Sequence, residues 1–138
     1  MKGTYILIID IAKSCKIKVG KLGKISFDKG VYAYVGSALN NLESRIKRHF
    51  SKRKKKFWHI DFLLSKNCVN IKGFFWKMSK YREECKIAKK LEKVCICKIP
   101  NFGSSDCRCK SHLFRLGVEK EKLGNILGGF NYATKPFT

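Results

Sequence analysis

Residues 30–50 read GVYAYVGSALNNLESRIKRHF, and the two halves of this stretch obey different periodicities. Val31 to Val35 is a short apolar, aromatic run. β-Branched and aromatic side chains suit a pleated surface, so the run predicts a strand. Gly36 and Ser37 end it. Asn40 followed three residues later by Glu43 has the form of a capping box, with Asn in the Ser/Thr place. The helix it opens, over residues 41–50, carries Leu42, Ile46 and Phe50 at steps of four, an apolar stripe of helical period. Arg45 and His49 share that spacing, so they stack on the flank of the stripe, beside the end of the tyrosine strand. A strand bearing a phenol, a glycine turn, and a helix bearing a cation and an imidazole together form a phosphate-handling arrangement.

Toward the N-terminus, Thr4 to Ile11 is a continuous apolar run of strand length, which predicts a central strand buried on both faces. Between the two strands, residues 16–19 and 24–27 alternate lysine with apolar residues around Gly20-Lys21-Leu22-Gly23. This predicts a hairpin, over about residues 14–30, with one wet, basic face. That face would either extend a nucleic-acid surface or simply be solvated.

Toward the C-terminus, residues 52–56 are purely basic: Lys52, Arg53, Lys54, Lys55 and Lys56. Directly after the Arg45/His49 helix, and with Arg48 beside them, they would suit a phosphate backbone, although such runs are also ordinary solvated loops. Phe57 to Leu64 reads as a short helix, in which His59 is expected to be a packed side chain rather than a ligand. Val69 to Trp76 reads as a strand, bulged at Lys72-Gly73. Residues 82–94 read as a second long helix with Ile87, Ala88 and Leu91 inward. Glu84 lies one turn before Ile87 and Ala88, on the inward face, where a carboxylate is costly unless paired or bound to a cation. Glu83 is expected to pair with Lys86 or Lys90. Cys95 to Cys97 alternates as a strand would, and a short helix over residues 119–127 precedes Gly128-Gly129. Two Cys-x-Cys pairs and His112 raise the question of zinc, but their spacing matches no common zinc site. Cys107 and Cys109 are therefore expected to be packed or hydrogen-bonded thiols, and zinc is not expected.

The chain has 138 residues, 44% of them hydrophobic and 12% aromatic, which suits one domain with a single core and excludes a disordered tail. Thirty-one Lys+Arg against 10 Asp+Glu give a net charge of +21. A surface so charged repels itself, so a polyanionic partner is the natural explanation. No stretch approaches the length of an apolar membrane span, so nucleic acid is favoured over membrane. Met1-Lys2-Gly3 runs into a strand without a signal-peptide pattern, and seven cysteines in such a chain suggest thiols or metal rather than disulfides. A cytoplasmic location is expected.

Tyr34-Val35-Gly36 followed by Leu42, Arg45 and His49 resembles the second half of the GIY-YIG nuclease signature. Gly3-Thr4-Tyr5 ahead of Ile6 to Ile9 resembles its first half. Thr4 stands where that family has isoleucine, and the interval from Tyr5 to Tyr34 is longer than the family's, as an inserted hairpin would make it. The chain is most similar to a small, largely archaeal branch that ends in an SDCxC-x-SHLF box, here Ser105 to Phe114, so the box residues Asp106, Cys107, Cys109 and His112 are noted without a role. The resemblance implies an α/β fold: one domain over residues 1–138, a mixed central sheet flanked by helices, and a hairpin inserted between the tyrosine strands. It also implies an endonuclease, with DNA favoured over RNA and a structure-selective role in repair or recombination, and a separate targeting partner is conceivable. In the resemblance Glu84 is the single acidic metal ligand, a tyrosine is the general base and His49 assists it.

The chemistry of the residues agrees. Phosphodiester hydrolysis needs an in-line water, an acceptor for its proton, and positive charge on the phosphoryl oxygens. Glu84 would hold one divalent cation, magnesium or else manganese. Arg45 would clamp a phosphate oxygen. Tyr5 or Tyr34 would relay the proton, provided that metal and Arg45 lower a phenol pKa of about 10; His49 is the other candidate base. The rival reading is a catalytically weak or inactive module that keeps the fold and holds nucleic acid.

Overall fold

The computed structural model describes residues 2–104 and 109–136. Strand β1 (Gly3–Ile11) is the spine of a six-stranded sheet, buried along almost its whole length as its unbroken apolar sequence requires. On one side it pairs with β4 (Gly30–Ala38) and on the other with β5 (Val69–Met78). The sheet is completed by β6 (Cys95–Lys98) and β7 (Leu113–Leu116) beyond β4, and by β8 (Asn131–Ala133) beyond β5, in the order β6-β7-β4-β1-β5-β8. The register of β1 and β5 slips at Ile8/Ile9, leaving Lys72 as the extra residue of the bulge expected there. Strand β7 (LFRL) shows no polar–apolar alternation and β8 has only three residues, so neither is expected from the sequence.

The mixed sheet expected from the sequence is corrected to an antiparallel one, since every pairing among the described residues is antiparallel. The helical crossovers do join strands of like direction. Helices α1 (Leu42–Phe50) and α2 (His59–Leu64) carry the chain from β4 to β5, α3 (Glu84–Glu92) from β5 to β6, and α4 (Lys120–Leu127) from β7 to β8. In each case another strand lies between the two in the sheet, so no like-directed strands become neighbours.

Alternation along β1 divides the core into two layers. Tyr5, Leu7, Ile9 and Ile11 face α1, α2 and a two-stranded hairpin, β2 (Cys15–Lys18) with β3 (Lys24–Phe27). Ile6 and Ile8 face α3 and α4. The hairpin lies between β1 and β4 in the chain. Ile17 and Phe27 are buried against the first layer, while Lys16, Lys18 and Lys24 are exposed. Helix α1 starts one residue later than expected. Asn41, not Asn40, is its N-cap, and its Oδ1 accepts from Ser44 N at 3.0 Å. Adjacent asparagines offer the same chemistry, and the one with extended backbone at the helix start takes a cap worth about 1 kcal/mol. Among the described residues no helix is long and apolar enough to cross a membrane.

Candidate active site

Strand direction collects the polar residues. β1 begins, and β4 and β5 end, at the same edge of the sheet, so α1 and α3 start there, one in each layer. Residues 99–104 and 109–112, between β6 and β7, lie at the same edge. A cleft of about 240 Å³ opens there, lined by Tyr5, Tyr34, Gly36, Ser37, Arg45, Phe57, Trp58, His59, Arg82, Glu84, Gly103 and His112.

Tyr5 and Tyr34 stand on adjacent strands and on the same sheet face, because Tyr5 pairs with Gly36 and Tyr34 lies two residues back. The Tyr5 ring lies across Gly36: a Cβ on that residue would come 2.4 Å from the phenol carbon and oxygen. Glycine here is thus a matter of space, since any side chain would push the phenol out of place. Behind Tyr5 is His49, which is buried, with Nε2 2.7 Å from the Tyr5 hydroxyl oxygen. Tyr34 meets the same imidazole edge-on at 6.2 Å between ring centroids. His49 Nδ1 is buried and has no hydrogen-bond partner among the described residues.

Burial decides how these groups ionise. It pushes Tyr5 up to about 12, although the Arg45 charge pulls the other way. It raises Tyr34 well above the usual phenol value, and neighbouring Tyr5 adds to the rise. It pushes His49 down to about 3, with the Lys54 charge acting in the same sense. All three are neutral at neutral pH. Arg45 alone therefore does not lower a phenol here, because desolvation outweighs it.

Arg45 is placed by α1 so that Nη1 donates to Ser37 O at 3.0 Å, with its guanidinium 4.4 Å from the Trp58 ring centroid. Trp58 carries Arg48 as well, at 4.3 Å, a packing that nothing in the sequence announces. Glu84, the first residue of α3, is mostly buried at the cleft wall, and Arg82 Nη2 donates to its Oε1 at 2.7 Å. Glu83 pairs with Lys77 at 3.1 Å, the partner being on β5 rather than on its own helix as expected. His59 holds the far rim: its Nδ1 accepts from Gly103 N at 2.9 Å, and its ring packs edge-on against Phe102. His112 is buried at the base of the cleft. Cys109 stands near it, while Asp106 and Cys107 lie outside the described residues.

The basic run divides into two sets. Arg48 forms a two-pronged pair with Asp61, at 2.8 and 2.9 Å, and also donates to Lys55 O. Lys54 Nζ donates to the carbonyls of Arg48 and His49 at the end of α1, each at 3.0 Å. Burial pushes its pKa down to about 8, against the pull of Asp61. Lys52 Nζ donates to the carbonyls of Leu64, Lys66 and Val69, just beyond α2. These three cations close helix ends and a loop. Arg53, Lys55 and Lys56 are exposed.

By fold and cleft this is a small α/β domain with a polar, phenol-bearing site at one edge of an antiparallel sheet. The chain belongs to the family described as "Domain of unknown function DUF123", which matches residues 4–131. No curated protein and no solved structure matches it.

Proposed function

We propose that the protein is a metal-dependent endonuclease of GIY-YIG type. It would hydrolyse phosphodiester bonds of nucleic acid, DNA in preference to RNA, with structure-selective cutting in repair or recombination as its setting. One observation carries the reading: Tyr5, Tyr34, Arg45 and Glu84 line a single cleft in a chain of net charge +21. The donor set fits the implied metal. A lone carboxylate facing a polar cleft suits Mg2+, which keeps several waters and takes one or two protein carboxylates, and Mn2+ accepts the same oxygen. A cation held by Glu84 supplies positive charge that polarises the phosphate and draws down the acidity of nearby water and phenol.

The chain's own groups have complementary tasks. Arg45, fixed by Ser37 O and the Trp58 face, presents its remaining N–H groups to a phosphoryl oxygen without having to reorganise. Tyr5 is the better relay. Its oxygen would accept a proton from the attacking water as its own proton passes to His49 Nε2, with the anionic phosphate in the cleft offsetting the burial that otherwise keeps that imidazole neutral. Tyr34 walls the other side of the water and orients it.

The test is a panel of linear and branched DNA and RNA, with and without magnesium. Arg45→Ala should lower the cleavage rate by about a hundredfold or more, the loss of one preorganised charge. Arg45→Lys should recover little, since a lysine cannot both stack on Trp58 and fork onto an oxygen. Tyr5→Phe should be the more damaging of the two phenol variants. Tight binding with no cutting anywhere on the panel would replace the enzyme by a binding module.

Salt dependence separates the two halves of the basic run. Replacing Arg53, Lys55 and Lys56 together should flatten the log–log slope of affinity against salt by about 2 to 3 units. Lys52→Ala and Lys54→Ala should instead destabilise the fold, each by roughly 1 kcal/mol and read as a lower midpoint of thermal unfolding, for the charged donors lost from these carbonyls. An unchanged slope in the triple variant would make the loop a solvated surface only.

A further inference from the structure

Beside the Tyr5–Glu84 cleft, and sharing His112 with its wall, a second cluster of chemistry-bearing side chains stands together among the described residues. Cys85 comes from the first turn of α3, Cys109 and His112 from the segment that leads into β7. Their two sulfurs and one imidazole nitrogen all lie within 4.8 Å of one another, and Cys85 Sγ is 3.9 Å from His112 Nε2. The three residues are 24 and 3 positions apart along the chain, so no zinc-like spacing marks them. Spacing speaks against zinc only while the 105–114 box is read by itself, because one donor comes from a helix in another part of the chain.

We propose that Cys85, Cys109 and His112 form a transition-metal site, zinc by its chemistry, that fastens the first turn of α3 to the segment before β7. Bond lengths of about 2.3 Å to sulfur and 2.0–2.1 Å to nitrogen, in a tetrahedron, put neighbouring ligand atoms roughly 3.5–3.8 Å apart. The 3.9 Å sulfur–nitrogen distance is within a few tenths of that, and the other pairs, none beyond 4.8 Å, need close by no more than about 1 Å, which rotamer adjustment can supply. Two thiolates and an imidazole form a soft to borderline set, matched to Zn2+ and mismatched to Mg2+, whose oxygen preference leads it to Glu84. Binding converts both thiols to thiolates, with release of two protons to solvent. The described residues supply three ligands, and the fourth place is for water or another donor.

The staple has a purpose that the fold makes visible. Glu84 precedes Cys85, and the staple ties this first turn of α3 to the segment that carries Gly103 and His112 into the cleft wall. Helix starts are prone to fray, and α3 has no side-chain cap hydrogen bond at its N-cap. A metal on the second residue of the helix holds that turn, and with it the Glu84 carboxylate. The site itself stands whether or not the cleft cuts nucleic acid.

The measurement is metal content and cobalt substitution on the full chain. Wild type grown with zinc and purified without chelator should hold about one zinc per chain, and removal of the metal should lower the melting temperature by about 10 °C or more. Cobalt(II) added to the metal-free chain should give thiolate-to-cobalt charge-transfer bands and the visible bands of a tetrahedral ion. Cys85→Ser, Cys109→Ser and His112→Ala should each lose the zinc, whereas Cys97→Ser, at an exposed cysteine of β6, should keep it. A Cys85→Ser chain that retains stoichiometric zinc would overturn the assignment. So would a wild type that holds none and shows no cobalt–thiolate band. Because cobalt titration uses the unaltered chain, it decides the matter even if the variants fail to fold. Cleavage is scored separately, with Glu84→Gln, so an inactive cleft and an absent zinc are told apart.

Discussion

Glu84→Gln should abolish magnesium-dependent cleavage while leaving nucleic-acid affinity and stability nearly unchanged. The amide keeps the shape of the side chain but removes the anionic oxygen that a hard cation needs. Among the described residues the ion pair lost is that with Arg82, a side chain about half exposed, and such pairs contribute about 0–1 kcal/mol. Lost activity would therefore not be lost folding, and matched melting curves check this. Affinity should persist because it comes from the +21 surface rather than from one cleft carboxylate. Arg82 also competes with the cation for Oε1, so Arg82→Ala should lower the magnesium concentration that gives half-maximal rate. A Glu84→Gln preparation that cuts as well as wild type would place the activity elsewhere on the chain or in a contaminant.

What the sequence made legible was whatever local periodicity and volume dictate. The unbroken apolar run of β1 requires a central strand, the steps of four from Leu42 to Phe50 require one buried helix face, and Ile87, Ala88 and Leu91 are buried as their spacing demands. Tyr5 and Tyr34 fall on paired strands, so the two phenols share a face. What could not be read depends on which distant segments meet. Crossover helices suggest parallel neighbours, but nothing local says that β1 will lie between β4 and β5. A basic run looks uniform in a sequence. Only the ends of α1 and α2 select Lys54 and Lys52 as carbonyl donors and leave their neighbours in water. Tyr5 ionisation is likewise a property of the packed site, because the burial that raises it comes from the surrounding fold rather than from adjacent residues.

Asp61→Ala should be the most destabilising single change in the molecule outside its apolar core. The Asp61 side chain is wholly buried, yet it accepts two bonds from Arg48 and one each from the backbone N–H groups of Phe57 and Trp58, at 2.8 to 2.9 Å. It thereby ties α1 to the start of α2 and seats Trp58, on which Arg45 and Arg48 stack. Removing it strips the Arg48 guanidinium of its carboxylate, leaving it the Lys55 carbonyl, and takes the acceptor from two amides. Breaking a buried pair from one side costs up to about 3–5 kcal/mol. That is a large share of a stability of roughly 5–15 kcal/mol. Acid should expose the same group. Burial raises the carboxyl, but the Arg48 bonds and the two backbone amides outweigh it and hold Asp61 below its ordinary value of 3.8. Its contribution is thus complete above about pH 4 and disappears as pH falls through the still lower folded value. His49 acts in a different window. Its imidazole stays neutral in the fold down to about pH 3, whereas an unfolded histidine takes a proton below about pH 6.5. The unfolded chain then binds more protons, so stability should already decline from pH 6.5 downward. Denaturant titrations from pH 8 to pH 3 should show both phases in wild type. Asp61→Ala should start several kcal/mol lower, keep the decline that begins at 6.5 and lack the further loss below 4. An Asp61→Ala chain as stable as wild type at pH 7 would mean that Arg48 and the Trp58 amide find other partners, and that Asp61 does not hold the Trp58–Arg45 wall in place.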